Sequence, residues 1–286
     1  NRSSWVIIDR LGEHWKKARV DGDLTPEGTV TLKTENVDAL TLEFPPGFAP
    51  FALNKPVRVV IDGESLDGDR PGSDRSWSVT FSRDGSAWKV GDPSHEMVHK
   101  KHNLQGPIDD AFMDSFVFVR PTGKSPRAKV QTWVDQEMAR AVEHWRRQFR
   151  GEIRVVDDNA ISDADIASSN LIVWGDVDSN AYLKKWFSGR LDGQVIRVGE
   201  RSFDAENHVL MAIEPNPANP ERYVVLNSGF TFREYDYLNN ARQVPKLPDW
   251  AVIDVRTPPD ARSPGKVVAA DFYDEFWKVR KSRDPK

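Results

Sequence analysis

The sequence predicts two folding units of different class: an N-terminal all-β unit, a small sandwich or open barrel, followed by a Rossmann- or flavodoxin-like three-layer α/β domain. Three observations predict it. The first ninety or so residues carry short alternating runs punctuated by turn pairs, as β-sandwiches do. From Ser115 onward, apolar runs alternate with segments of helical period. Between them Ser115–Arg120 reads Ser-Phe-Val-Phe-Val-Arg, an unbroken aromatic and β-branched run suited to a strand buried on both faces of a parallel sheet. The expected boundaries are 1–92 for the β-unit, 93–114 for a linker and turn segment, and 115–286 for the α/β domain.

In the β-unit, strands are expected at Trp5–Asp9, His14–Val20 with Trp15 turned to the core, Thr29–Thr34, and Ala39–Phe44, where Leu40, Leu42 and Phe44 share one face. Val57–Ile61 ends at the turn pair Asp62-Gly63, and the Gly- and Asp-rich stretch Leu66–Ser73 reads as a loop. Trp77, Val79 and Phe81 alternate inward, and Ala87–Val90 returns after Asp84-Gly85.

In the second unit, Ala128–Arg150 carries Val130, Trp133, Val134, Met138, Ala141, Val142, Trp145 and Phe149 at helical spacing and stops at Gly151. Ile153–Val156 reads as a strand. Ser162 with Asp165 three residues later opens a short helix to Ser168. Asn170–Gly175 is a buried strand followed by a helix to Phe187. Apolar runs at Val195–Val198, His208–Ile213, Tyr223–Leu226 and Trp250–Val255 complete the sheet.

Composition narrows the partners. With 286 residues and 38% hydrophobic content there is material for two cores. The 40 basic and 44 acidic residues leave a net charge of −4, without the basic excess that nucleic-acid binding uses. No apolar run reaches the roughly 20 residues of a membrane span. The absence of cysteine removes disulfides and thiolate chemistry. The chain opens at Asn1 without a signal-like segment, as a piece processed or excised from something longer would.

Ligands of such a sheet bind beyond the carboxyl ends of its strands, which directs attention to four loops: Pro121–Ser125, Gly175–Asn180, Pro215–Pro220 and Asn227–Gly229. Gly123-Lys124-Ser125 is not a P-loop, because Phe118 stands where the motif needs its first glycine. No G-x-S-x-G nucleophile elbow is present. The candidate ligand-binding set is Asp176, Ser179, Asn180, Asn216, Asn227 and Ser228, expected to converge on one edge, with Asp109 and Asp110 as a second carboxylate group; each also suits a turn or cap. His95-Glu96-Met97-Val98-His99 matches the zinc motif H-E-x-x-H, and His102 extends that face, so His95, Glu96, His99 and His102 form a candidate metal set. A solvated linker helix explains the same spacing, and no cofactor other than that zinc is expected. Of the ten tryptophans, Trp133, Trp145 and Trp186 fit helical core positions, which leaves Trp88 as a carbohydrate platform.

The strings HNLQGPIDDAFMDSFVFVRPTG, HWRRQFRG, NLIVWGDVDSN, EPNPANPERYVVLNSGFTFRE and KLPDWAVID together resemble the C-terminal region of secreted bacterial prolyl-oligopeptidase-like hydrolases. The resemblance implies a non-catalytic accessory or substrate-docking region of a serine peptidase or esterase, secreted or periplasmic. Its partner would be an upstream α/β-hydrolase domain of the same polypeptide carrying the triad, and its ligand a peptide or polysaccharide. The alternative is a stand-alone metal-dependent hydrolase using the histidine cluster.

Overall fold

The computed structural model describes residues 1–92 and 97–280. The chain forms two compact units, Asn1–His102 with Asp274–Phe276, and Asn103–Tyr273 with the residues from Trp277 onward. The secondary structure is β-rich mixed α/β, with four sheets and three α-helices among the described residues.

The first unit contains β1 (Arg2–Ser3), β2 (Val6–Leu11), β3 (Arg19–Leu24), β4 (Val30–Glu35), β5 (Val37–Phe44), β6 (Arg58–Ile61), β7 (Glu64–Asp67), β8 (Trp77–Asp84) and β9 (Ala87–Val90). They form a five-stranded sheet, β1-β2-β5-β8-β9, and a four-stranded sheet, β3-β4-β6-β7. Val30 and Leu32 of one sheet share a single core with Leu40, Leu42, Val79 and Phe81 of the other. That is the period-2 alternation of a sandwich.

Three expectations fail here. His14–Val20 is not a strand: Trp15 sits at φ 66° and is 59% exposed, and pairing begins only at Arg19. The left-handed residue breaks the extended run, so the indole is carried outward. Leu66 lies within β7, paired with Val59, and not in a loop. Trp88 is 3% exposed, donates to Asp62 Oδ2 at 3.0 Å and lies under the Arg83 guanidinium. It is a core residue with a satisfied indole and offers no platform.

The second unit contains β10 (Phe116–Arg120), α1 (Ala128–Phe149), β11 (Val155–Asp157), α2 (Asp163–Ser168), β12 (Asn170–Val173), α3 (Ala181–Phe187), β13 (Val195–Val198), β14 (Arg201–Asp204), β15 (His208–Asn216), β16 (Asn219–Leu226), β17 (Trp250–Asp254) and β18 (Lys266–Asp271). The main sheet runs β11-β10-β12-β16-β15-β17-β18. Its first four strands are mutually parallel; β15, β17 and β18 add antiparallel neighbours. β13 and β14 form a separate two-stranded sheet, with Ile196 also bridging Leu191, so Val195–Val198 lies outside the main sheet.

Phe118, Ile172 and Val225 pack with Trp133 and Val134 of α1, whereas Val117, Val119, Leu171 and Val224 pack with Leu183 and Phe187 of α3. Adjacent residues of β10 thus enter different cores, as the Ser115–Arg120 run requires. α2 opens on the expected capping box, Ser162 Oγ accepting from Asp165 N and Asp165 Oδ2 accepting from Ser162 N. α1 ends one residue earlier than expected, because Arg150 itself takes the left-handed cap at φ 62° and its N–H donates to Arg146 O. Trp186 is 38% exposed beneath Lys185, so it is not core.

Candidate functional site

The strand order puts β11 on one side of β10 and β12 on the other, so the connections leaving β10 and β12 diverge at their carboxyl ends. Such a switch point is where open α/β sheets leave a crevice. Here the two loops close it. Gly123 N donates to Ser179 O at 2.9 Å, and a Cβ at Gly123 would stand 2.9 Å from that oxygen and 3.1 Å from the Ser179 Cα. Glycine is what permits this approach.

Asp176 organises the loop after β12: its Oδ1 accepts from the N–H and hydroxyl of Ser179, each at 2.9 Å, and from Asp178 N at 3.1 Å. Its Oδ2 accepts from the Ser125 hydroxyl and, at 3.1 Å, from Arg127 Nη2. Arg127, 8% exposed, also reaches Asp178 Oδ2 at 2.5 Å and Gly193 O at 2.5 Å, clamping three loops together. Asn180 caps α3, accepting from Tyr182 N and Leu183 N, and ties back to Trp174 O. Asn227, at φ 52°, bridges both backbone atoms of Gly175, and Ser228 donates to Gly229 O. Asp176, Ser179, Asn180, Asn227 and Ser228 therefore share one edge, and each spends its polar atoms on the loops themselves.

Asn216 does not join them. Because β15 runs antiparallel to β16 and pairs Asn216 with Asn219 at the start of that strand, Asn216 lies at the opposite edge, in the hairpin turn, where it accepts from Tyr182 and from Ala218 N. Pro215–Pro220 is therefore a hairpin connection and not a loop of the carboxyl edge.

One pocket at the carboxyl edge, of about 30 Å³, lies between Arg127, Asp176, Gly193, His208 and Asn227, floored by apolar residues such as Val130 and Leu210. That holds about one or two waters, whereas small-molecule sites run to several hundred Å³. Three groups escaped the sequence reading: Arg127, His208 and Asp158. Asp158 accepts from Thr122 N and Ala181 N and so joins the loops after β10 and β12. The adjacent Asp157-Asp158 pair after a strand was the available signal; Arg127 carried none, since its partners lie far away in the chain.

Asp109 and Asp110 lie in a 3-10 turn, Ile108–Phe112, inside the second unit's core. Asp109 is 3% exposed and accepts from the N–H (3.0 Å) and hydroxyl of Thr231. Burial pushes its carboxyl up to about 6, against the lowering effect of those hydrogen bonds. Asp110 accepts from the Tyr223 hydroxyl at 2.5 Å, and that hydroxyl also takes Gly106 N at 3.0 Å. Both carboxylates brace the turn within the span 93–114.

Of the metal candidates, His95 and Glu96 lie outside the described residues. Met97–Lys100 is not helical; His99 is buried with Nδ1 2.8 Å from Met97 O, and His102 is exposed. Neither one helical face nor a linker helix runs through these described positions. Among the described residues, no three or more acidic or histidine side chains converge as a metal site.

Fold and site define a β-rich mixed α/β chain whose sheet edge is closed by its own loops. No protein-family model, curated protein or solved structure matches the chain. Among the described residues no helix is long and apolar enough to cross a membrane.

Proposed function

We propose that this chain is a non-catalytic accessory and docking region of a secreted serine hydrolase of the prolyl-oligopeptidase-like type, working beside an α/β-hydrolase domain of the same polypeptide. Its second unit is read as a flavodoxin-like, doubly wound domain: the parallel strands β11-β10-β12-β16 follow the order 2-1-3-4, with α1 and α3 packed in different cores. The observation that carries the reading is the filled switch point. Where a ligand-binding member of that architecture keeps its crevice, Gly123 meets Ser179 and Arg127 is bonded to Asp176, Asp178 and Gly193. Polar groups committed to loop geometry make a rigid scaffold, and a rigid scaffold is what presents a docking surface.

The test is treatment of the purified chain with a fluorophosphonate probe, which labels activated serines, beside assays on a p-nitrophenyl ester. The expected result is neither labelling nor turnover, with an in-frame G-x-S-x-G hydrolase domain upstream in the encoding gene. Stoichiometric labelling of the isolated chain, or an upstream frame without such a domain, overturns the reading.

A further inference from the structure

The connection from β16 to β17 runs from Asn227 to Asp249. It carries two 3-10 turns of its own, Glu234–Leu238 and Asn240–Arg242. The connection is held rigidly on α1. Arg233 makes a two-pronged pair with Glu137 at 2.7 and 2.9 Å, both side chains almost wholly buried. Arg140 pairs with Glu234, Lys246 with Asp236, and His144 Nδ1 meets the Tyr237 hydroxyl at 2.5 Å.

Above this layer the connection exposes a different chemistry. Glu234–Leu238 is a 3-10 turn, in which side chains three apart eclipse, so Tyr235 and Leu238 share a face. They are 40% and 71% exposed, and Val244 beyond them is 47% exposed. Arg242 and Arg262 stack on the Tyr235 ring at 5.0 and 4.1 Å, and Arg147 stacks on Tyr237 at 5.1 Å. Among the described residues none of these three guanidiniums has a carboxylate within ion-pair distance. Three nearby acids are already engaged: Glu234 and Asp236 as above, and Asp260 by the N–H groups of Arg262 and Ser263.

We infer that this face, Tyr235 and Leu238 with Arg242 and Arg262 stacked on the tyrosine, is a docking surface for an acidic protein partner that receives Leu238 in an apolar recess between carboxylates. Tyrosine and arginine around an apolar anchor are the composition of protein-interface hot spots. Stacking orders the exposed Arg262 guanidinium while leaving N–H donors for a carboxylate, so little entropy is lost on binding; Arg242, whose Nη1 is buried, stacks on the same ring. A basic face on a chain of net charge −4 also gives an acidic partner a preferred approach. The inference rests on the docking reading above and names its surface.

The probe is the capped hexapeptide acetyl-Glu-Asp-Leu-Leu-Asp-Glu-amide, titrated into the full chain and followed by amide NMR shifts. Control peptides replace the two leucines by serine or the four acids by lysine. The expected result is binding near or below roughly 1 mM at low salt, weakened several-fold at 0.5 M salt, with shifts on 234–247 and the end of α1. Both controls and the variants Leu238→Asp and Arg262→Glu should bind at least tenfold more weakly; both side chains are exposed, and an unchanged melting curve verifies folding. Absent binding, shifts elsewhere or equal binding of the lysine peptide overturns the proposal. So does sedimentation showing a dimer that Leu238→Asp dissolves, since a second copy would then be the occupant. Fluorophosphonate labelling would remove the parent reading whatever the peptide does, and a silent titration with an unlabelled chain would remove this surface alone.

Discussion

The Asn227 side chain closes on both backbone atoms of Gly175: Oδ1 accepts from Gly175 N at 2.8 Å and Nδ2 donates to Gly175 O at 2.9 Å. One amide thus imitates a strand partner where β12 and β16 end and their loops begin. Asn227→Ala should cost about 3 kcal/mol, because it leaves buried backbone groups unpaired and puts an ordinary residue at φ 52°. Asn227→Gly should cost roughly 1 kcal/mol less, since glycine tolerates that φ. Urea denaturation of the two variants checks the order.

Arg233 and Glu137 form a buried pair, so removing one partner strands a charge. Glu137→Gln and Arg233→Met should each cost about 3–5 kcal/mol, whereas Glu137→Leu combined with Arg233→Met should recover much of the loss. Equal costs for single and double variants in a double-mutant cycle would contradict this picture.

His144 is 2% exposed, and burial followed by the nearby Arg140 charge pulls its imidazole down from 6.5 to about 4. The folded state holds it neutral while the unfolded chain protonates first, so its contribution is present above pH 6.5 and lost as pH falls toward 4. His144→Asn, which keeps a hydrogen-bonding group toward Tyr237, should flatten the stability profile between pH 6.5 and 4 in urea titrations.

Asp109 titrates with the opposite sign. Its carboxyl, ordinarily at 3.8, is raised to about 6, so the folded state takes up a proton more readily than the unfolded chain. Its contribution is largest below pH 3.8 and is lost as pH rises toward 6. Asp109→Asn should therefore make stability fall less steeply from pH 4 to 6; an unchanged slope would show the carboxyl titrating normally.

The non-helical backbone at Met97–Lys100 bears on zinc. The described end of the H-E-x-x-H spacing, Met97–His99, therefore offers no helical face of the kind that motif uses. The purified chain should hold substoichiometric zinc and keep its melting temperature in chelator. Stoichiometric zinc, lost with a drop of several degrees, would establish a ligand-dependent fold instead.

What the sequence determined by itself was local. The alternation of Leu40 and Leu42, the Phe-Val-Phe-Val run of β10, the helical stripe of α1 and the Ser162–Asp165 box each act through neighbours a few residues away, and each takes its expected form. What only the tertiary structure decided was direction and partnership. The apolar run of β15 reads the same in either orientation, so nothing local announced that it runs antiparallel and carries Asn216 to the far edge, away from Asn227. Local pattern puts Trp15 in the core and leaves Trp88 free, yet a left-handed backbone turns the first outward while Asp62, distant in the chain, satisfies the second. Arg127 drew no notice for the same reason: a long side chain's role is set by the carboxylates that folding brings to it, and Asp176 and Asp178 reach it only once the sheet has assembled.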